Sequence, residues 1–402
     1  MTFLELTKTF GVENHSDLPD GYYPVPESRK GELCTKEMID SLQEKYDLFG
    51  EYYEAVREGF FDLKNDPNRK LYLDSISLYL KDAPLNEAIA IKYPPSVNTP
   101  ASNMLPLLAH LPSIEDVYKM LIKKGLTPKE AVEDLGIYKK YLREEELYRK
   151  KIVGIQPFIS TWISRFDKGA IVYFGHSGIN FQPFKLPENF PFIIRNKQSG
   201  ELKALFGNDY PVHKSGIPLG NPDAKDEEGS FKAKFYETES DYVGHPASEN
   251  FISKEIKAFS KDEWELIISP GEDVISLHVF HNADLTPEAV DYALNYGVKR
   301  CIECYPEYNF KGVRLCTWFL NTNVCEILGE EAKISKFANR FLRFPGFSGA
   351  RLLFGYVFPK GYDNLQELEE RTTLQRGIKK LLLEGKHIYE PTGIIPIDKF
   401  KR

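Results

Sequence analysis

The segment from Asp273 to Phe358 constrains the fold most, because strand-like apolar runs alternate in it with helical patterns. The pattern predicts strands over Val274–Phe280, Val313–Leu320 and Arg351–Phe358, a helix over Thr286–Tyr305, and a second helix before the last strand. A strand that leads through a short loop into a helix offers a phosphate site, since the first helical turn has free N–H groups and a positive dipole end. The segment therefore indicates a mixed α/β domain that handles a phosphorylated carrier or a nucleotide.

The first 160 residues have mostly helical spacing of their apolar residues and few alternating β-branched runs. The clearest helical patterns cover Lys36–Glu58, Ser113–Ile122 and Leu126–Tyr141. The last of these begins with a capping box, in which Thr127 is the N-cap and Glu130 stands three residues later. We therefore expect this part of the chain to form a helical domain.

The sequence pattern changes near Ala170, where short β-rich runs begin, separated by clusters of Gly, Pro, Asn and Asp. A closing helix from about Thr373 to Glu384 has a capping box that starts at Thr372. A length of 402 residues favours more than one domain. We expect a helical domain over residues 1–165 and a second domain over residues 166–402.

The charge and the apolar runs exclude several classes of partner. The net charge is −7, from 52 basic and 59 acidic residues, and the basic residues form no stripe, so we predict neither a nucleic-acid nor a membrane partner. The N-terminus lacks the pattern of a signal peptide, and runs such as Met104–Ala109 are too short to span a bilayer. We expect a soluble cytoplasmic protein, with its oligomeric state left open.

Five cysteines, an odd and small number for this length, argue against a disulfide framework. Cys301 and Cys304 form a C-x-x-C pair with Cys316 and Cys325 downstream, so a zinc site is one interpretation. The other is packing, because Cys301 falls on an apolar face of the predicted helix. That face contains Val290, Leu294, Val298, Cys301 and Tyr305. We favour packing and predict no metal.

Six segments between Met104 and Lys386 carry a resemblance to a known family through their order and spacing. They are LLAHLPSIEDVYKMLIKKGLTPKEAVEDLGIYKKYL, TWISRFDKGAIVYFGHSGINFQPF, YETESDYVGHP, DEWELIISPGEDVISLHVFHNADLTPEAVDYAL, RLCTWFL and RTTLQRGIKKLLLEGK. They resemble a bacterial acyltransferase-like family that joins an all-helical N-terminal domain to a GNAT-like C-terminal domain, GNAT being the acyl-coenzyme A N-acyltransferase fold. The first hundred residues resemble this family only in being helical.

The resemblance implies fold class α+β, with an N-terminal helical domain and a C-terminal GNAT-like mixed sheet with flanking helices. It implies transfer of an acyl group, acetyl in the first instance, from acetyl-CoA or another acyl-CoA to an amine of an unidentified small-molecule acceptor. In such a fold, the sheet would splay between the His278 strand and the Cys316 strand and leave a cleft for the pantetheine arm. The acceptor would lie between the helical domain and the sheet.

The chain departs from the family patterns at the coenzyme loop. The signature Gln/Arg-x-x-Gly-x-Gly/Ala is absent, and His281–Leu285 reads HNADL, in which Asp284 would repel a pyrophosphate. Phe280 stands where the family often has Pro, and Cys316–Trp318 stands where it often has His-Ser-Trp. An alternative function therefore stays open, that of a catalytically inactive GNAT-like binding or scaffold protein.

His278 is the first catalytic candidate. In its strand Ile275, Leu277 and Val279 alternate to one face, while Ser276 and His278 share the other. An imidazole with a pKa near ~6.5 can take a proton from an amine nucleophile. The Ser-Leu-His motif also matches the strand of the resembling family. The competing interpretation is a buried histidine that is hydrogen-bonded to a neighbouring strand or loop.

Glu237 and Tyr242 are the second pair of catalytic candidates, within the matching segment YETESDYVGHP. A carboxylate at Glu237 could act as a base or orient His278, and the Tyr242 hydroxyl could protonate a leaving thiolate. The simpler interpretation is a turn after a strand, with a solvated glutamate and a packed tyrosine ring.

Coenzyme binding has candidates in two places. His281, Asn282 and Thr286 belong to the loop and first helical turn whose N–H groups would meet a pyrophosphate. Arg371 and Arg376, in the closing family motif, could reach a coenzyme phosphate. The structural interpretations are an ordinary helix start for the first group, and capping and salt bridges of the last helix for the second.

Overall fold

The computed structural model describes residues 33–91, 93, 100–149, 153–174, 178–220, 224–349, 351–358, 364–386 and 388–400. These residues divide into two compact units. The first unit contains the described residues up to Asn180 together with Val279–Asn282. The second contains Phe181–His278 and the described residues from Ala283 onward.

The first unit is helical, as the sequence predicts. Its helices are α1 (Lys36–Tyr46), α2 (Tyr53–Lys64), α3 (Pro67–Asp82), α4 (Leu85–Ala88), α5 (Pro100–His110), α6 (Ile114–Lys123), α7 (Pro128–Leu135), α8 (Ile137–Glu144) and α9 (Ile159–Asp167). The capping box at the start of α7 is confirmed, since Thr127 Oγ1 accepts from Glu130 N at 3.3 Å and Glu130 Oε2 accepts from Thr127 N at 2.7 Å.

Two predicted helices are each divided into two shorter ones. The pattern over Lys36–Glu58 contains α1 and α2, because Asp47 has a left-handed φ of 46° that ends the first of them. The pattern over Leu126–Tyr141 contains α7 and the start of α8, which meet at Gly136. Apolar spacing detected the buried residues in both cases but not the break, which spans residues 47–52 between α1 and α2 and Gly136 alone between α7 and α8.

A buried hydrogen-bond network joins the helices of the first unit. His110 Nδ1 lies 2.7 Å from Asp167 Oδ2, and His110 Nε2 lies 2.8 Å from Ser160 Oγ. Ser160 Oγ is also 2.9 Å from the hydroxyl of Tyr93, and the Tyr138 hydroxyl donates to Asp167 Oδ1. The order Ser-His-Asp is that of a hydrolase triad, but Ser160 and His110 are only 2% and 1% exposed. The network therefore holds helices together and is closed to substrates.

Asp134, at the end of α7, is a fully buried carboxyl group. Its Oδ2 accepts from Tyr173 N at 3.1 Å, whereas its Oδ1 has no hydrogen-bond partner among the described residues. Burial raises the pKa of Asp134 to about 7, against the lowering effect of the backbone N–H groups of Tyr173 and Phe174. The folded protein therefore holds a proton that the unfolded chain releases near pH ~3.9.

We expect Asp134→Asn to change how stability depends on pH. A raised pKa in the folded state means that wild-type stability falls as pH rises from about 4 to about 7, by roughly 2–4 kcal/mol. The amide keeps one acceptor oxygen and carries no charge, so the variant should lose this slope and unfold at higher urea than wild type at pH 8 but not at pH 4. Urea unfolding across this pH range tests it, with the exposed Asp116→Asn as control. Parallel curves for wild type and Asp134→Asn would contradict the assignment.

The second unit combines strands and helices. Its strands are β1 (Ile179–Lys185, which begins in the first unit), β2 (Phe192–Asn196), β3 (Leu202–Phe206), β4 (Tyr210–Val212), β5 (Phe231–Ala233), β6 (Phe235–Glu237), β7 (Asp241–Ala247), β8 (Lys257–Ser260), β9 (Trp264–Ile268), β10 (Asp273–Val279), β11 (Gly312–Cys316), β12 (Leu342–Gly349) and β13 (Tyr389–Pro396). Its helices are α10 (Pro287–Cys304), α11 (Thr322–Leu328), α12 (Lys333–Ala338), α13 (Arg351–Val357) and α14 (Thr373–Leu383).

The strands form a mixed sheet and a second, antiparallel sheet. The first has the order β1-β10-β11-β13-β12, with β10 parallel to β11, and with β13 antiparallel to both β11 and β12. The second has the order β6-β7-β3-β2-β9, with β8 also paired to β7, and β4 pairs with β5 separately. The predicted α+β fold class, with helices flanking a mixed sheet, is confirmed.

The two sheets share a core, and α10 packs near β1. Val274, Phe344 and Ile394 of the first sheet belong to one buried cluster with Ile193 and Phe206 of the second. At α10, a Cβ on Gly297 would overlap the ring of Phe181, so only glycine allows this approach of helix and strand. These contacts fix β10 and α10, the two elements whose junction the sequence marks as a site.

The strand predicted over Arg351–Phe358 is wrong, because Arg351–Val357 forms helix α13. Leu353, Val357 and Phe358 are buried in one cluster with Ile378 of α14, at a spacing that a helix brings to one side. A short apolar run fits a buried strand and a buried helix equally, so its period did not decide between them. The predicted strand over Val313–Leu320 is also shorter than expected, since it ends at Cys316 and Trp318–Leu320 forms a 3₁₀ turn.

Candidate functional site

The sheet forks between β10 and β11, as predicted. The parallel pairing joins Ile275 to Val313 and Ser276 to Arg314, and extends no further along these two fully described strands. β10 nevertheless continues to Val279 and β11 continues to Cys316. Beyond Ser276, the edge of β10 that faces β11 therefore lacks a strand partner and can offer backbone groups to a ligand.

His278 lies on the open part of β10. Ser276 and Leu277 before it are buried, whereas the His278 side chain is partly exposed. Its Nε2 lies 2.8 Å from Oε1 of Gln182 on β1, and an amide oxygen can only accept, so Nε2 carries the hydrogen. The ring is thereby oriented with its basic lone pair on Nδ1. A structural histidine would also make this contact, but the partial exposure leaves the ring within reach of solvent.

Arg314 places a positive charge where the fork begins. Its Nη1 lies 3.4 Å from Ser276 Oγ, and its guanidinium is 4.7 Å from the centre of the Phe184 ring. It forms no ion pair with any residue the structure describes, and its Nε is buried without a hydrogen-bond partner there. Burial lowers the pKa of Arg314, although a guanidinium remains charged at neutral pH. Negative charge that develops in the fork would be stabilised by this group.

The start of α10 is occupied by the chain's own carboxylate. Asp284 Oδ1 accepts from Thr286 N at 3.0 Å and from Thr286 Oγ1 at 2.9 Å. These hydrogen bonds, the backbone one first, hold the pKa of Asp284 below its usual value. Thr286 is thus the N-cap of α10, and Asp284 takes an N–H that a phosphate would use.

Two basic residues lie close to the same helix end. Lys333, at the start of α12, is near enough to contribute to the lowered pKa of Asp284, and it is exposed. Arg340 donates through Nη2 to Pro287 O at 3.3 Å and forms an ion pair with Asp291. Lys333 has no ion pair within the described ranges, so it can bind an anion at this end of α10.

All of the other predicted coenzyme residues are exposed, namely His281, Asn282, Arg371 and Arg376. His281 and Asn282 are exposed and belong to the first unit. Arg376 donates through Nη1 to Glu370 O at 3.0 Å and through Nη2 to Thr373 Oγ1 at 3.2 Å. Both guanidinium contacts stabilise the turn before α14.

Arg371 also contacts residues close to it in the sequence. Its guanidinium is 71% exposed and lies 3.6 Å from Glu369, while its backbone N donates to the capping residue Gln375 at 2.9 Å. The capping box of Thr372 and Gln375 is itself confirmed.

Glu237 and Tyr242 lie in the second sheet, away from the His278 strand. They are paired across β6 and β7, and both contact Lys261 in the turn between β8 and β9. Glu237 forms an ion pair with Lys261 at 2.9 Å, and the Lys261 ammonium is 5.1 Å from the centre of the Tyr242 ring. Neither side chain contacts His278, so the structure does not assemble the predicted trio.

The part of the chain that the structure describes contains neither a cluster of metal ligands nor a membrane-spanning helix. Cys301 and Cys304 are both buried in α10, on the packed side of that helix. Among the described residues, no group of three His, Cys, Asp or Glu side chains could hold a metal ion. None of the described helices is long and apolar enough to cross a membrane.

Gln182, Arg314 and Lys333 are the site residues that sequence reasoning missed. Arg314 had a signal of its own, since a charged residue inside the apolar run VRLC shares a strand face with Cys316. Gln182 and Lys333 had none, because each reaches the site only through the order of strands and helices in the folded unit.

Comparison with known proteins adds a family and a fold. Residues 202–395 match the family described as the GNAT-like C-terminal domain, which confirms the expected domain over that range. No curated protein matches the chain.

Solved structures of acyltransferases match nearly the whole chain. One, in complex with decanoyl-CoA and teicoplanin, has a TM-score of 0.63 and 15% identity, and covers 99% of this chain and 100% of its own. Another, in complex with CoA and 10C-teicoplanin, has a TM-score of 0.64 and 15% identity with the same coverage. A mutant acyltransferase in complex with octanoyl-CoA has a TM-score of 0.64 and 14% identity, and covers 98% of this chain and 99% of its own. At such identity the likeness shows a shared fold.

Proposed function

Because residues 202–395 form a GNAT-like C-terminal domain, we propose that this chain is an acyltransferase that moves an acyl group from acyl-CoA to an amine of a small-molecule acceptor. The observation that carries the proposal is the fork between β10 and β11 with His278 on its open edge. Since acyl-CoA is an intracellular metabolite, we also propose a cytoplasmic location.

The donor we propose is a medium-chain acyl-CoA. The similar acyltransferase structures hold decanoyl-CoA and octanoyl-CoA, which supports a longer chain than the acetyl group expected from the sequence. Acetyl-CoA remains the short-chain comparison that any assay should include.

In the proposed reaction the pantetheine arm enters the fork and places the thioester beside the unpaired edge of β10. His278 Nδ1 takes the proton of the amine as the nitrogen attacks the thioester carbonyl. Backbone N–H groups of β10 and the charge of Arg314 stabilise the oxyanion, at about 3–4 kcal/mol for a well-placed donor. The tetrahedral intermediate collapses with loss of the coenzyme A thiolate, which takes a proton from water.

The coenzyme phosphates would lie at the N-terminus of α10, near Lys333. This placement requires Asp284 to give up its hydrogen bonds to Thr286 or to be protonated, because two anions would otherwise share one helix end. The same carboxylate favours the alternative function, a GNAT-like protein that no longer binds the coenzyme and acts as a binding or scaffold protein.

Calorimetry with octanoyl-CoA, decanoyl-CoA and acetyl-CoA separates the two functions. We expect saturable binding that prefers the longer chains and that raises unfolding stability by about 2.7 kcal/mol at a hundred times the dissociation constant. Lys333→Met should weaken binding several-fold, whereas Lys336→Met, on the same helix but paired to Glu331 at 2.7 Å, should not. No binding of any acyl-CoA would leave the non-catalytic alternative.

A further inference from the structure

A cavity lies near the C-terminal end of α10, at the opposite end of that helix from Thr286. Its volume is about 400 Å³, within the range of small-molecule sites. Its apolar wall consists of Val298, Ile302, Phe310, Ile397 and Phe400. Val298 is twelve residues beyond Thr286, which is about 18 Å along a helix, so this cavity is separate from the proposed phosphate end.

The two charged residues that line this cavity differ in whether they have a charged partner. Lys299 and Glu303 both line it, one turn apart on α10. Glu303 forms an ion pair with Arg300, so its charge is compensated. Lys299 is exposed, and its ammonium group has neither an ion pair nor a hydrogen bond in the described parts of the chain. Of the two charged residues that line the cavity, Glu303 is therefore paired and Lys299 has no charged partner among the described residues.

Asn309 and Tyr308 complete the lining and are both uncharged, although the carboxylates of Glu307 and Asp273 are near enough to help raise the pKa of Tyr308. The side-chain amide of Asn309 has no hydrogen-bond partner within the described ranges and can donate to a ligand. Burial raises the pKa of Tyr308, so its hydroxyl stays neutral. Its ring stacks on Phe310, with centres 5.4 Å apart and an interplanar angle of 5°, which gives the cavity a flat aromatic side.

We propose that this cavity binds an apolar monocarboxylate, with its carboxylate on Lys299 and Asn309 and its hydrocarbon body against the apolar wall. An ammonium that has no ion pair with a described residue selects an anion over an amine of the same size. Lys299, the unpaired cation among the described lining residues, matches one carboxylate, and the wall removes the hydrocarbon from water. The site does not depend on the acyltransferase proposal.

Titration calorimetry of the full chain with sodium octanoate, octylamine and octanol tests the proposal. We expect octanoate to bind, octanol to bind more weakly and octylamine not to bind. Lys299→Met keeps the hydrocarbon stem and should weaken octanoate about tenfold while leaving octanol unchanged, and Ile302→Asp should weaken both. Lys380→Met, an exposed lysine on α14, is the matched control and should behave as wild type.

The proposed fork is the other place where octanoate could bind, so each titration is repeated with saturating octanoyl-CoA. Octanoate binding that persists under these conditions and weakens in Lys299→Met supports the cavity. The proposal would be overturned if octanoyl-CoA displaced octanoate or if Lys299→Met left octanoate binding unchanged. It would also be overturned if octylamine bound as tightly as octanoate.

Discussion

His278→Ala is expected to lower kcat/KM for acyl transfer by about 10²–10⁴-fold, which is the usual contribution of a general base. The loss should appear mainly in kcat, because His278 takes a proton in the transition state while the donor is held by the fork and the coenzyme end. The His278 ring forms a hydrogen bond with Gln182 at 2.8 Å, but it is partly exposed, so folding should change little in the variant. Thiol release from octanoyl-CoA with a panel of small-molecule amines measures the rate.

The controls separate catalysis from positioning. Gln182→Leu leaves the imidazole in place but removes the group that fixes its tautomer, so we expect a smaller loss in kcat and an altered pH profile. His278→Ala should bind octanoyl-CoA with the affinity of the wild type. The unfolding midpoint of the variant should also equal that of the wild type. Turnover in His278→Ala equal to that of wild type would rule out the assignment.

The position of His278 could be predicted because its signal is local. Alternation along Val274–Val279 assigns the strand and its two faces, and the Thr286-Pro287 start assigns the following helix. The capping boxes at Thr127 and Thr372 were predictable for the same reason, since each is complete within four residues.

The residues around His278 could not be predicted, because the pairing of strands in the sheet determines which side chains lie next to it. Gln182 is 96 positions before His278 and reaches it only since β1 is its strand neighbour. Arg314 meets Ser276 through a parallel register of two residue pairs that no local pattern encodes. The strand predicted over Arg351–Phe358 was wrong for a related reason. The apolar run fits either a strand or a helix, and its packing against α14 favours the helix.

Asp167→Ala is expected to destabilise the protein by about 3–5 kcal/mol, the largest effect on folding that we predict. Asp167 accepts from His110 and from Tyr138, which are 1% and 0% exposed. Removing the carboxylate leaves two donors buried without partners and opens a small cavity between α5, α8 and α9. Urea unfolding, followed by the fluorescence of Trp162 on α9, reports the change in this unit.

The alternative interpretation of the network around Asp167 is a catalytic Ser-His-Asp triad. Variants of Asp167 distinguish the structural interpretation from the catalytic one. A structural network predicts that Asp167→Asn, which keeps one acceptor oxygen, loses less stability than Asp167→Ala, and that the exposed Asp62→Ala changes stability by less than about 0.5 kcal/mol. It also predicts that a fluorophosphonate fails to label Ser160, because a side chain that is 2% exposed cannot be reached in the folded state. Labelling that Ser160→Ala abolishes, with Asp167→Ala stable to within 1 kcal/mol of wild type, would instead identify a second catalytic centre in the helical unit.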